Sequence, residues 1–184
     1  MPNASKRGGV SRPKTHAPRK RFGQNFLTDQ GVISAIARAI NPQKDDNVVE
    51  IGPGQGALTD ALFEGGCAIK AIEIDRDLQS QLRVMFFNRD FTLFNFDALK
   101  FDFNELSDGH HDLRIVGNLP YNISTPLIFK LLMHLPIIRD MHFMLQKEMV
   151  DRLAARAGNK HWGRLSVMTQ VDCDVEHLFD VPPE

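Results

Sequence analysis

No apolar run in the 184 residues approaches the roughly 20 that a bilayer-spanning helix needs, which excludes a helical membrane span. The N-terminus is basic but has no apolar stretch behind it, so it does not read as a secretory signal. Cysteine occurs only at Cys67 and Cys173, too few for a disulfide framework or a zinc site, and a reducing cytoplasm is the expected location. Acidic residues are missing from the start of the chain; the first is Asp29. Over the same stretch, residues 1–21 carry seven lysines and arginines, which leaves 15 basic against 23 acidic groups in residues 22–184. The formal charge of −1 therefore hides a basic arm on an acidic body of net −8. An arm rich in Pro, Gly and Ser cannot bury enough surface to fold alone. It suits a polyanion such as RNA, and reads equally as a solvated tail.

The body, in a chain 42% hydrophobic, is long enough for one sizeable core. Apolar residues at helical spacing predict a helix over 29–40, ended by Asn41-Pro42. Short β-branched or aromatic runs predict strands at 47–51, 70–74, 91–94, 114–117 and 141–145. Helices are expected near 57–64, 78–87, 125–133 and 148–157. A sixth strand is expected over 165–173 and a further one over 176–179. This alternation predicts an α/β, Rossmann-like fold: a mostly parallel sheet with helices on both faces.

Glu50-Ile51-Gly52-Pro53-Gly54-Gln55-Gly56 falls at a strand-to-helix junction, where glycines permit a tight turn and close approach to a ligand. The turn alone is a sufficient reading of the glycines. Glu73, 21 residues beyond Gly52, adds the separation at which a carboxylate accepts both ribose hydroxyls of a nucleoside. The third glycine of a dinucleotide fingerprint is absent, and Pro53 removes a donor that a pyrophosphate cradle needs. S-adenosylmethionine is therefore expected over NAD. Asp97 follows the third strand, where it borders the same crevice and can accept an adenine amino group, or simply cap a turn.

Gly117-Asn118-Leu119-Pro120-Tyr121-Asn122 carries the reaction chemistry. An exocyclic amine on an aromatic base is a poor nucleophile, because its lone pair is delocalised into the ring. Two acceptors, the Asn118 side-chain oxygen and the Leu119 carbonyl, favour a more tetrahedral nitrogen and free that pair. Pro120 holds Leu119 extended. Tyr121 offers a face on which a splayed-out base stacks, worth ~1–3 kcal/mol. Methyl transfer from a sulfonium is direct displacement, so alignment and electrostatics carry it and no metal or covalent nucleophile is required. An Asn/Pro turn with a packing aromatic is the plainer reading of the same residues.

Five segments resemble one family: Arg21–Leu27 (RFGQNFL), Val49–Gly54 (VEIGPG), Asn118–Pro126 (NLPYNISTP), Met144–Glu148 (MLQKE) and Gly163–Val167 (GRLSV). From about Arg21 to Pro183 the chain resembles the KsgA/RsmA-type ribosomal RNA adenine dimethyltransferases. The last two segments argue against the related methylases that confer antibiotic resistance. The resemblance implies S-adenosylmethionine held by Asn25, Leu27, Gly52, Glu73, Asp97 and Asn118. It implies N6-dimethylation of two adjacent adenosines in the 3′-terminal hairpin of small-subunit rRNA, within the 30S precursor, by a monomer with no membrane partner. Trp162 stands where the family usually shows Tyr. Family members continue past Val-Pro-Pro into a helical RNA-binding domain, so residues 22–184 are expected to be the catalytic domain alone.

Other readings are carried alongside. Relatives of this family act in ribosome assembly, which makes a non-catalytic RNA-binding factor the second reading. A nicotinamide-dependent oxidoreductase is the third, disfavoured by Pro53. His110-His111 lie in a polar loop without further ligands, and no metal is expected. The phenylalanines at 86, 87, 91, 94, 96, 101 and 103 are expected in the core, and the cysteines are read as small hydrophobes. Arg152, Arg156, Lys160 and Arg164 face either RNA phosphates or plain solvent.

Overall fold

The computed structural model describes residues 27–182. Asp29 caps helix α1 (Gln30–Ile40), its carboxylate accepting the Val32 N–H at 3.0 Å, and Asn41 ends the helix in the left-handed region before Pro42. Strand β1 (Asn47–Ile51) leads through the glycine loop into α2 (Ala57–Leu62) and a 3₁₀ turn at Phe63–Gly65. Then follow β2 (Ile69–Glu73), α3 (Arg76–Met85), β3 (Phe91–Asn95) and β4 (Leu113–Asn118). The chain continues with α4 (Tyr121–Leu132), β5 (Ile138–Met144), α5 (Lys147–Leu153) and α6 (Arg164–Gln170).

The five strands form one parallel sheet in the order β3-β2-β1-β4-β5. Successive residues of a central strand feed opposite faces: Val49 and Ile115 join the core under α4, while Val48 and Val116 join the core under α1, α2 and α3. Both faces are covered, which explains strands that read as continuous apolar runs. The chain leaves β1 toward β2 on one side and returns to β4 on the other. In such sheets ligands bind at that reversal, outside the carboxyl ends of the strands. Ile51, Glu73, Asn95 and Asn118 end their strands along this edge.

At the opposite edge Arg114 is buried and joins four elements. Its guanidinium donates to Asp46 (2.7 Å), Asp140 (3.0 Å) and the Ile40 carbonyl (2.7 Å), and Arg139 adds a second bridge to Asp46. The paired guanidinium holds the Asp46 carboxyl below the usual carboxylate range, against its own burial. The Asp140 carboxyl lies at about 2, its burial outweighed by His142 and Arg114.

Several expectations are corrected. Residues 165–173 are not a strand: Arg164–Gln170 is helical. Leu165, Ser166 and Thr169 are buried at helical spacing, while Val167 and Val171, which share the alternating face of a strand, point to solvent. The Ser166 hydroxyl donates to the Arg152 carbonyl and accepts the Gly163 N–H, and the Gln170 amide donates to the Leu153 and Ala155 carbonyls. Those bonds dock α6 on α5 and override the β propensity of Val167, Thr169 and Val171. Residues 176–179 form no regular element, and α5 stops at Leu153 instead of running to 157. Helix α4 starts a turn before Thr125 and continues through Pro126, its first turn held by the Ser124 hydroxyl on the Pro120 carbonyl (2.9 Å). Phe86, Phe101 and Phe103 are core residues, but Phe87 and Phe96 are exposed. The basic arm 1–21 and Asn25 lie outside the described residues.

Candidate active site

A cavity of about 290 Å³ opens at the carboxyl ends of β1, β2 and β4. Gly52 begins the turn out of β1 with φ +67, and its N–H donates to the Ile72 carbonyl (2.9 Å). A Cβ at Gly52 would meet no protein atom within 4 Å, so the left-handed backbone and not packing calls for glycine there. Gly117 has the opposite reason. A Cβ there would lie 2.6 Å from the Ile51 carbonyl, so only glycine lets β4 approach β1 beside the cavity.

Glu73 bridges the glycine loop and the turn after β2. Its Oε2 accepts the Gly54 N–H at 3.3 Å and its Oε1 accepts the Asp75 N–H at 2.8 Å. Burial pushes its carboxyl above the usual range, although the two N–H groups oppose the shift. Asp97 closes a turn, accepting the Leu99 N–H at 3.0 Å, and also lines the cavity. Leu27, Asn118, Leu119 and Pro120 complete the set of sequence-derived residues that meet in the cavity. The Leu119 N–H donates to the Met144 carbonyl (3.1 Å), fixing the motif to the end of β5. Tyr121 does not line the cavity; it opens α4 with 57% of its surface exposed.

Four lining residues carry roles the sequence reading had not assigned them. Glu50 is 1% exposed, and its carboxylate accepts the Thr59 hydroxyl at 2.6 Å. Burial, reinforced by the Glu73 charge, pushes its carboxyl up to about 7. Its signal was present: an acid among Val48, Val49 and Ile51 in a strand buried on both faces. Asn122 and Ile123 enter because α4 starts early. Phe96 stands half exposed at the cavity, its ring edge-on to Phe101 at 5.7 Å.

Among the described residues the lining holds three carboxylates, Glu50, Glu73 and Asp97, and no lysine or arginine. That donor set disfavours a pyrophosphate. It matches a ligand with ribose hydroxyls, amines and a positive charge, while Ile74, Ala98 and Leu99 offer apolar walls to a flat ring. The residues present fit S-adenosylmethionine.

The sheet order and the placement of this cavity define a class I, Rossmann-like methyltransferase fold, the class whose cofactor is S-adenosylmethionine. Among solved structures, a dimethyladenosine transferase from Plasmodium falciparum superposes with a TM-score of 0.71 at 29% identity, covering 80% of this chain and 52% of that one. The 23S rRNA methyltransferase ErmE gives 0.67 at 29% identity, covering 79% and 57%. The family described as Ribosomal RNA adenine dimethylase matches residues 15–184, and the chain belongs to that family. Proteins named Ribosomal RNA small subunit methyltransferase A are 59% identical in Saccharophagus degradans, over 92% of this chain and 63% of the relative. In Pseudomonas aeruginosa the figures are 58%, 91% and 63%. The chain thus spans less than two thirds of the length of these relatives.

Proposed function

We propose that this chain is the catalytic domain of an rRNA dimethyltransferase acting on N6 of two adjacent adenosines in the 3′-terminal hairpin of small-subunit rRNA. The observation that carries the reading is the convergence of Glu73, Asp97 and Asn118-Leu119-Pro120 on one cavity. Glu73 accepts the ribose hydroxyls, Asp97 the adenine amino group, and Gly52 and Leu27 pack against the nucleoside. When bound, S-adenosylmethionine supplies an activated methyl group. The Asn118 side-chain oxygen and the Leu119 carbonyl accept the hydrogens of the target amine and steer its lone pair toward the cavity. Pro120 restricts Leu119 to extended backbone and so holds its carbonyl in register. Tyr121 is exposed beside the cavity, as a stacking platform for an unpaired base must be.

No helix among the described residues is long and apolar enough to cross a membrane. The substrate is the 30S precursor in the cytoplasm, and the protein acts as a monomer. A helical domain beyond residue 184 helps to hold the RNA, and Asn25 adds to the cofactor site. The test is methyl incorporation into unmethylated small subunits by the longer protein that contains this domain. Incorporation at two adjacent adenosines, lost on Asn118→Ala, supports the reading. Normal subunit binding without methyl transfer overturns it in favour of an assembly role.

A further inference from the structure

Away from the cavity, positive charge is concentrated in one segment. Residues 147–164 hold Lys147, Arg152, Arg156, Lys160 and Arg164 against only Glu148 and Asp151, a net of +3 within a body of net −8. Lys147 is engaged by Asp151 and Asp180. Arg152, Arg156, Lys160 and Arg164 are exposed and make no ion pair among the described residues. A solvated helix face normally carries both signs, paired along its turns. Here two of the cations, Arg156 and Lys160, line a concave surface instead.

That groove is lined by Arg156, Lys160, His161 and His177 beside Asp151, whose carboxylate is engaged by Lys147, over an apolar floor of Val150 and Ala154. The loop between α5 and α6 that presents the cations is held by its own bonds. Asn159 donates its N–H to the Arg156 carbonyl (3.0 Å), its side chain accepts the His161 N–H (2.8 Å), and its carbonyl accepts the Trp162 N–H (2.9 Å). The unit is also fixed to the reaction motif. Met149, Leu153 and Leu165 pack on Ile128 of α4, and the Thr125 hydroxyl meets the Met149 sulfur at 3.8 Å. Helix α4 begins at Tyr121, and β5, which feeds α5, accepts the Leu119 N–H. A strand lying in the groove is therefore held by the same packed helices that set the motif.

We infer that the α5–α6 groove is a phosphate-binding surface for the RNA strand flanking the target adenosines, with Arg156 and Lys160 as its principal contacts. This rests on the proposed function for the identity of the polyanion. Charge complementarity selects the occupant: Arg156 and Lys160 in the groove, with Arg152 and Arg164 exposed on the same segment, match a backbone carrying one charge per nucleotide, and the apolar floor accepts ribose. Such contacts position RNA and carry no sequence information.

The test uses the 184-residue chain and a hairpin RNA with two adjacent unmethylated adenosines, with binding measured over a range of salt concentrations. Each lost phosphate contact should make the slope of log affinity against log salt shallower by roughly 0.7–0.9. Arg156→Ala/Lys160→Ala is expected to bind RNA at least tenfold more weakly at low salt and with a shallower slope. Its S-adenosylmethionine affinity and unfolding midpoint should stay unchanged, because all four cations project from the fold. Arg156→Lys/Lys160→Arg should restore most of the binding. Unchanged affinity and slope in the alanine pair overturn the inference, and so does loss that the charge-conserving pair fails to rescue. Methyl transfer with an unaltered KM in the alanine pair defeats this surface and leaves the proposed function standing. Salt-sensitive binding by this chain, with no methyl incorporation into small subunits by the longer protein, defeats the proposed function and leaves the surface standing.

Discussion

Replacing Glu50 by Gln removes one ionisable group from the cavity floor while keeping its volume and its acceptor for the Thr59 hydroxyl. The wild-type carboxyl lies at about 7 against an ordinary 4.5 because burial penalises its charged form. Its folded value is raised, so its contribution to stability is complete below pH 4.5 and is lost as pH rises through about 7. A displacement of that size corresponds to about 3 kcal/mol at 1.36 kcal/mol per pKa unit. Some 2 kcal/mol of it should develop between pH 5.5 and 8.5. Urea unfolding at the two pH values reads this directly. With a slope of about 2 kcal/mol per molar, the wild-type midpoint should fall by ~1 M relative to Glu50→Gln. Glu73 is shifted in the same direction but remains in both proteins, so the difference isolates Glu50. Parallel pH profiles for the two proteins would refute the argument. A cationic ligand beside Glu50 favours its ionised form, so S-adenosylmethionine affinity should rise with pH through about 7 in the wild type and lose that dependence in Glu50→Gln.

Asn118→Ala should lower methyl transfer by about a hundredfold, the typical effect of deleting one preorganised polar contact to a reacting group, with little change in the urea midpoint; an unaltered single-turnover rate would eliminate the proposed amine acceptor. Gly117→Ala puts a Cβ 2.6 Å from the Ile51 carbonyl, so β1 and β4 must part. A destabilisation of about 1–3 kcal/mol is expected, read by thermal unfolding. Arg114→Met removes the buried cation between Asp46 and Asp140 and leaves them only the half-exposed Arg139, at a cost of about 3 kcal/mol. Acid unfolding checks the same network. The Asp140 carboxyl is lowered to about 2 by His142 and Arg114 together, so wild-type stability from this network is present above pH 3.8 and lost as pH falls toward 2, whereas the variant should keep only the share that His142 supplies.

Much of the site was legible because its parts are local. Gly52, Glu73, Asp97 and Asn118 each sit at or just past a strand end, and parallel strands bring their carboxyl ends to one edge whatever the packing beneath. Glu50 went unassigned although its letter was in plain view, since only burial on both faces of β1 makes that carboxyl unusual. Tyr121 shows the reverse: its place in the motif is a sequence fact, but its position on the rim, outside the cavity lining, follows from where α4 begins.

Strand pattern, glycine turn and motif order by themselves determined a parallel α/β sheet with a nucleoside-type cavity at its carboxyl edge, because backbone geometry and chain direction fix both. The C-terminal third was decided by tertiary structure. Residues 165–173 alternate like a strand, yet the Ser166 and Gln170 side chains find the open carbonyls at the end of α5, and satisfying those buried acceptors outweighs local propensity. The same docking gathers Arg156, Lys160 and His177 around one groove. Arg156 and Lys160 stand four residues apart in the chain, and only tertiary packing brings His177 to them, so that cations which could face either RNA or bulk solvent in the sequence line one groove.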